Sequence, residues 1–190
     1  AVGSNTEIQE KCQSDNLIDA KNQTIVPGLI DAHCHFYRMG LDQQKVSLEG
    51  TESYKEVLER LVAFQKEKNV NFITGRGWDQ NDWEIKEFPT KEKLDKLFPT
   101  IPVAIRRIDG HALLVNQAAI DVAGIHENTK VSGGEIILKD GKMTGILIDA
   151  AMDFIKIPEP SKEEAIQGLL DAQKMCFSYG LTTVDDAGID

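Results

Sequence analysis

Basic residues, aromatics, cysteines and long apolar runs are all scarce in this chain of 190 residues. Lys and Arg number 21 against 31 Asp and Glu, a formal charge of −10. Nothing in that balance would neutralise a phosphate backbone, so no nucleic-acid partner is expected. No apolar run approaches the roughly 18–20 residues needed to span a bilayer, so no membrane partner is expected either. The N-terminus has no basic region leading into an apolar stretch and does not read as a signal peptide. The three cysteines, Cys12, Cys34 and Cys176, are odd in number and far apart. That excludes a disulfide framework and makes a reducing cytoplasm the natural setting. Repeats and low-complexity tracts are also missing. Histidines number four, and two of them stand one residue apart.

What is present alternates between strand and helix patterns. Residues 1–23 are polar and poor in pattern. Thr24 to His33 reads as a strand bent at Pro27-Gly28. Ser53 and Glu56 fit a capping box before a stripe of Tyr54, Val57, Leu58, Leu61, Val62 and Gln65. A strand over Val70 to Thr74 runs into Gly75-Arg76-Gly77-Trp78-Asp79. Thr90 is placed to cap a short helix with Leu94, Leu97 and Phe98 on one face. A strand over Pro102 to Ile108 ends in Asp109-Gly110-His111. Asn116 can cap a helix reaching Ala123, which Gly124 can end. Glu135 to Lys139 and Lys142 to Asp149 flank Asp140-Gly141, a strong hairpin signal, read as an insertion in the strand–helix order. Ser161 and Glu164 form a second capping box, Gly180 stops that helix, and Leu181 to Val184 is the last strand.

This order is that of a parallel α/β sheet. Polar residues gather after its strands: His33 and His35, Trp78 and Asp79, Asp109 and His111, Asp185 and Asp186. Sites in such folds sit at the carboxyl ends of strands. His33-Cys34-His35 is the sharpest signal, because residues two apart on a strand face one side and can offer two nitrogens to one metal. Asp31 shares their parity and could orient a ligand; Cys34 has the opposite parity. The plainer alternative is two histidines satisfied by hydrogen bonds. Arg106 and Arg107 alternate sides, so at most one faces a substrate carboxylate, with surface or structural pairing as the default. His126 lies in a polar loop.

Val26-Pro-Gly-Leu-Ile-Asp-Ala-His-Cys-His35 resembles the opening metal motif of the amidohydrolase superfamily. Gly77-Trp-Asp-Gln-Asn81, Phe88-Pro-Thr90, Arg106 to Ala112, Gly133 to Ile136, Thr144 to Leu147 and Gly180 to Gly188 are similar, in the same order, to its YtcJ-like branch, amidohydrolase family 3. The resemblance covers essentially the whole chain. It implies an α/β fold: part of a (β/α)8 TIM barrel of the metal-dependent hydrolase type, with a piece of the accompanying small β-sandwich. On that basis residues 1–23 are a partial sandwich segment. Residues 24–190 are then the first half of the barrel, with a hairpin insertion at about 133–149.

The activity implied is hydrolysis of an amide, acyl-amino or cyclic amide C–N bond by metal-activated water. The expected cofactor is a divalent metal, zinc first, held by His33 and His35. Asp149 is a candidate metal-bridging or orienting carboxylate and Asp109 a further catalytic candidate. His111, Trp78 and Asp79 are candidates for substrate contact. The partner is a small-molecule substrate, and an unpaired sheet edge makes a homo-oligomer possible. A barrel needs about 250 residues, and four barrel strands are expected here, starting near residues 24, 70, 102 and 181. The chain is therefore expected to be a piece of a longer protein, with its catalytic acid/base beyond residue 190. The alternatives are a non-catalytic half-barrel that binds metal weakly, and a deaminase or isomerase on the same scaffold.

Overall fold

A computed structural model describes residues 2–12, 14–16 and 18–188. Its elements run α1 (Asn5–Lys11), β1 (Leu29–Cys34), α2 (Phe36–Asp42), β2 (Val46–Ser47), α3 (Tyr54–Lys68), β3 (Ile73–Trp78), α4 (Glu92–Leu97), β4 (Val103–Arg107) and β5 (Ala112–Val115). They continue with α5 (Gln117–Ala123), β6 (Gly134–Lys139), β7 (Lys142–Asp149), α6 (Lys162–Ser178) and β8 (Leu181–Asp186). Local signals explain most boundaries. Ser161 and Glu164 form a reciprocal capping box at α6, and Asn116 accepts the Ala119 N–H at α5. Asp140 and Gly141 both take positive φ, 51° and 75°, as a two-residue hairpin turn requires.

The strands form two sheets. β1 and β8 pair in parallel, with Leu29 opposite Leu181 and Cys34 opposite Asp186. The other sheet has the order β2-β3-β4-β5-β7-β6. Its first three strands are parallel, and β5, β7 and β6 continue it antiparallel. The expectation that β3 and β4 are barrel strands beside β1 is therefore overturned: they belong to the sheet that also holds the hairpin. The hairpin is not a separate addition to the strand–helix order, because β2 to β7 all lie between α2 and α6 and share one sheet. β5 was not expected at all. Its four residues are all buried, so it carries no alternation to read.

α2 and α6 form the crossover from β1 to β8. They meet at Gly40 and Gly168, where a Cβ on either residue would lie 2.6–2.8 Å from the other's carbonyl oxygen. A glycine inside a helix costs about 1 kcal/mol relative to alanine, and here it permits that backbone contact.

Further corrections are local. Where residues 1–23 were expected to supply sandwich, the described ones hold the helix α1, capped by Ser4 and Glu7, and no strand. The first strand begins at Leu29, not Thr24. Lys91, not Thr90, stands at the start of α4. Ser53 accepts the Glu56 N–H, but the Glu56 carboxylate takes the N–H of Glu52, so only half of that capping box forms.

The six-stranded sheet is covered on both faces. Leu61, Leu94, Ile73, Val103, Ile105, Leu114 and Ile146 pack on the side of α3 and α4. Ala104, Leu113, Val115, Ile120, Leu147 and Ala151 pack on the side of α5. Each fully buried Leu or Ile contributes on the order of 1.5–3 kcal/mol.

Candidate functional site

His33 lies in β1, and His35 directly follows the strand at the start of α2. Both are exposed. Their rings stand 5.8 Å apart, edge to face. The Asp31 carboxylate accepts the His33 backbone N–H at 3.1 Å and so braces the strand end. Cys34 is half-buried; burial, more than any neighbour, raises its thiol pKa. An open cleft beside β1 is lined by Asp31, Cys34, His35, Arg38, Met39 and Cys176, among others.

Asp186 completes this end of the sheet. Its carboxylate accepts the N–H of Tyr37 at 2.8 Å and of Gly188 at 2.9 Å. Those bonds, the Tyr37 one foremost, hold its pKa below the ordinary carboxylate value, with His35 adding to the effect. A Cβ at Gly188 would come within 2.6 Å of His35 Nδ1, so the imidazole rests against that glycine. Asp186 thus ties the end of β8 to the segment that carries His35. The sequence offered it as one of two polar residues gathered at the end of the last strand. The cue that distinguishes it is the register that sets Cys34 opposite Asp186.

A second polar cluster lies on the six-stranded sheet. His111 Nδ1 and Asp149 Oδ1 are 2.8 Å apart, and the Asp149 N–H donates to the His111 carbonyl at 3.1 Å. Asp149 adopts φ 47°, ψ −122°, a conformation rare for a non-glycine residue. Asp109 accepts the His111 N–H at 3.1 Å, and its other oxygen is 3.5 Å from the Arg107 guanidinium. Arg107 also lies 3.6 Å from Asp79 and over the Phe88 ring.

Asp79 accepts the Asn81 N–H and so caps the short turn after β3. Trp78, expected against substrate, is fully buried: its indole N–H donates to the Ile105 carbonyl, and its ring packs near Trp83 and Phe88. It belongs to the core, because the β3 bulge beside β4 turns it inward. His126 accepts the Asn128 N–H within its own loop.

The structure brings His33 together with His35, and His111 together with Asp149. Among the described residues no group of three or more His, Cys, Asp or Glu is placed to hold a metal ion. Asp109 and Asp149 therefore do not join the histidine pair as a metal cluster. The two imidazoles fit a divalent metal as two nitrogen donors, half of a tetrahedral set.

A family model described as the amidohydrolase family matches residues 16–190. The chain is 35% identical over 190 residues to the Bacillus subtilis protein named "Putative amidohydrolase YtcJ", covering 95% of this chain and 36% of that one. It is 29% identical over 204 residues to the N-substituted formamide deformylase of Arthrobacter pascens, covering 98% and 36%. Among solved structures, an uncharacterized metal-dependent hydrolase from Pyrococcus horikoshii superposes with a TM-score of 0.60 at 25% identity, covering 83% of this chain and 30% of that one. The chain thus spans about a third of the length of these relatives.

Proposed function

The chain belongs to the amidohydrolase family, and from that premise we propose that His33 and His35 are two ligands of a divalent metal, zinc first, in a hydrolase acting on C–N bonds. The observation that carries this reading is the exposed edge-to-face pair of imidazoles at the carboxyl end of a parallel strand. That is where α/β folds place their sites. A bound divalent ion supplies Lewis acidity and a more acidic water.

This chain's own residues do the rest. Asp31 and Asp186 hold the backbone on either side of the histidines through N–H bonds. Asp149 orients the His111 ring through Nδ1, which leaves Nε2 to meet a substrate oxygen or nitrogen. Asp109 braces the His111 backbone, and Asp79 braces Arg107. In this reading β1 and β8 are consecutive strands of a (β/α)8 barrel. The open apolar side chains Leu29, Ile30, Leu170 and Phe177 support it, as surfaces that further barrel elements would cover.

A small-molecule amide is the substrate class. The name of the formamide deformylase relative favours N-acyl and N-formyl compounds. The absence of a third ligand among the described residues favours a second statement: residues 1–190 alone hold metal weakly and do not turn over.

The test is zinc binding by the chain, followed by calorimetry and elemental analysis, beside His33→Ala and His35→Ala, with an N-formyl and N-acyl amine panel. Weak binding lost in both variants is expected, without turnover. Zinc uptake unchanged in both variants would overturn the ligand assignment.

A further inference from the structure

Toward one end of the six-stranded sheet, the face that carries the α5-side core turns polar, with Arg76, Arg106, His111 and Asp149. Ala104, Leu113 and Leu147 pack on that face. Alternation puts Arg106 on that face of β4, where it stands opposite Leu113; His111, just before β5, and Asp149, at the end of β7, lie one step further along the same face. Arg76 on β3 is the register partner of Arg106 on β4, so two guanidinium side chains leave adjacent strands directly opposite each other.

Like charges so placed repel, yet among the described residues neither arginine has an acidic partner. Among the described residues the ion pairs take up Arg60 with Glu56, and Arg107 with Asp79 and Asp109, while Arg76 and Arg106 enter none. This holds in a chain with ten more acids than bases. Instead each donates to a backbone carbonyl of one turn: Arg76 Nη2 to Ile108 at 3.1 Å, and Arg106 Nη1 to Gly110 at 3.4 Å. That turn carries Asp109 and leads into His111. Both guanidiniums are therefore anchored on the turn that leads into His111, whose ring pairs with Asp149, and each has five N–H groups in all.

We infer that Arg76 and Arg106 form a carboxylate-binding subsite, which makes the substrate an N-acyl compound that bears a free carboxylate. The inference rests on the reading of His111 as a substrate-contact residue, and it narrows that reading from amides in general to anionic ones. Planar guanidiniums match a carboxylate's two oxygens through paired N–H bonds. An anion between them also removes the repulsion that the empty arrangement carries. Arg107, on the opposite parity and held by two aspartates, does not contribute.

The experiment uses the whole chain, metal-free, labelled with 15N. N-acetylglycine, its methyl ester and inorganic phosphate are titrated separately while the arginine Nε–H signals are followed. N-acetylglycine is expected to shift the Arg76 and Arg106 signals, and to bind at least about tenfold more weakly after esterification, in Arg76→Gln or in Arg106→Gln. Arg106→Lys, which keeps the charge but not the fork, is expected to recover only part of the affinity. Unchanged far-UV circular dichroism and melting identify variants that have kept the fold; a variant that fails this is replaced by its lysine counterpart. Equal affinity for acid and ester, or no loss in either arginine variant, overturns the subsite. Phosphate binding tighter than N-acetylglycine overturns the carboxylate assignment. Because the readout is binding without metal, zinc uptake unchanged in His33→Ala and His35→Ala would count against the metal-ligand reading and leave this one standing.

Discussion

The six-stranded sheet and the β1–β8 pair belong to one chain but differ in what covers them. In the six-stranded sheet Ile105, Leu114 and Ile146 are wholly buried, and both faces carry helices. Around β1 and β8, Ile30, Leu170 and Phe177 are each more than half exposed, and burial among apolar residues reaches only Ala172 and Cys176. Stability is set in the first region, while the histidine pair sits in the second. That separation lets the two regions be perturbed independently, since effects at distant sites add.

The largest effect should come from the core. Leu114→Ala is expected to cost about 2–5 kcal/mol in urea denaturation. Leu170→Ala on α6 should stay within about 0.5 kcal/mol. Equal losses would erase the contrast.

Next comes the glycine contact between α2 and α6 in the second region. Gly168→Ala forces a methyl group against the Gly40 carbonyl and should cost about 1–3 kcal/mol. Hydrogen exchange should rise in α2, α6, β1 and β8 while β3 to β5 stay protected. Exchange rising everywhere would mean that the two regions unfold as one.

A smaller effect is expected at the His111–Asp149 pair. Asp149→Gly relieves the positive φ but removes the ring's partner. Thermal stability should change by less than about 1 kcal/mol, while the His111 imidazole NMR signals broaden or move. Unmoved ring signals would show that the hydrogen bond does not hold the imidazole in solution.

The smallest effect concerns pH. The Glu52 N–H, and then Arg60, lower the Glu56 carboxyl below its ordinary value. A depressed folded value means the contribution is present above the unfolded carboxylate value and lost as pH falls through the folded one. Glu56→Gln should flatten that acid limb slightly and leave neutral stability nearly unchanged. A variant equally sensitive to acid would remove Glu56 from the account.

Much of the local structure was legible. The Asp140-Gly141 turn, the Asn116 cap and the Ser161 box are short-range signals, and all three appear where the residues put them. His33 and His35 were legible as neighbours because only one residue separates them. Strand partnership was not. β1 pairs with β8 across about 150 positions, and nothing at Leu29 or Leu181 names the other. Trp78 read as a pocket residue because its neighbours are polar; its burial depends on Trp83 and Ile105, which come from other segments. Arg76 drew no notice, since its meaning comes from standing opposite Arg106.

The sequence by itself determined the caps, the hairpin, the acidic surface and the imidazole pair, because each depends on contacts within a few residues of chain. The tertiary structure alone decided which sheet received each strand, which carboxylate braced which histidine, and which arginine was left without an acid. Sheet pairing is made by backbone groups that every residue carries alike, so the partner is chosen by the burial of whole faces and not by any local motif.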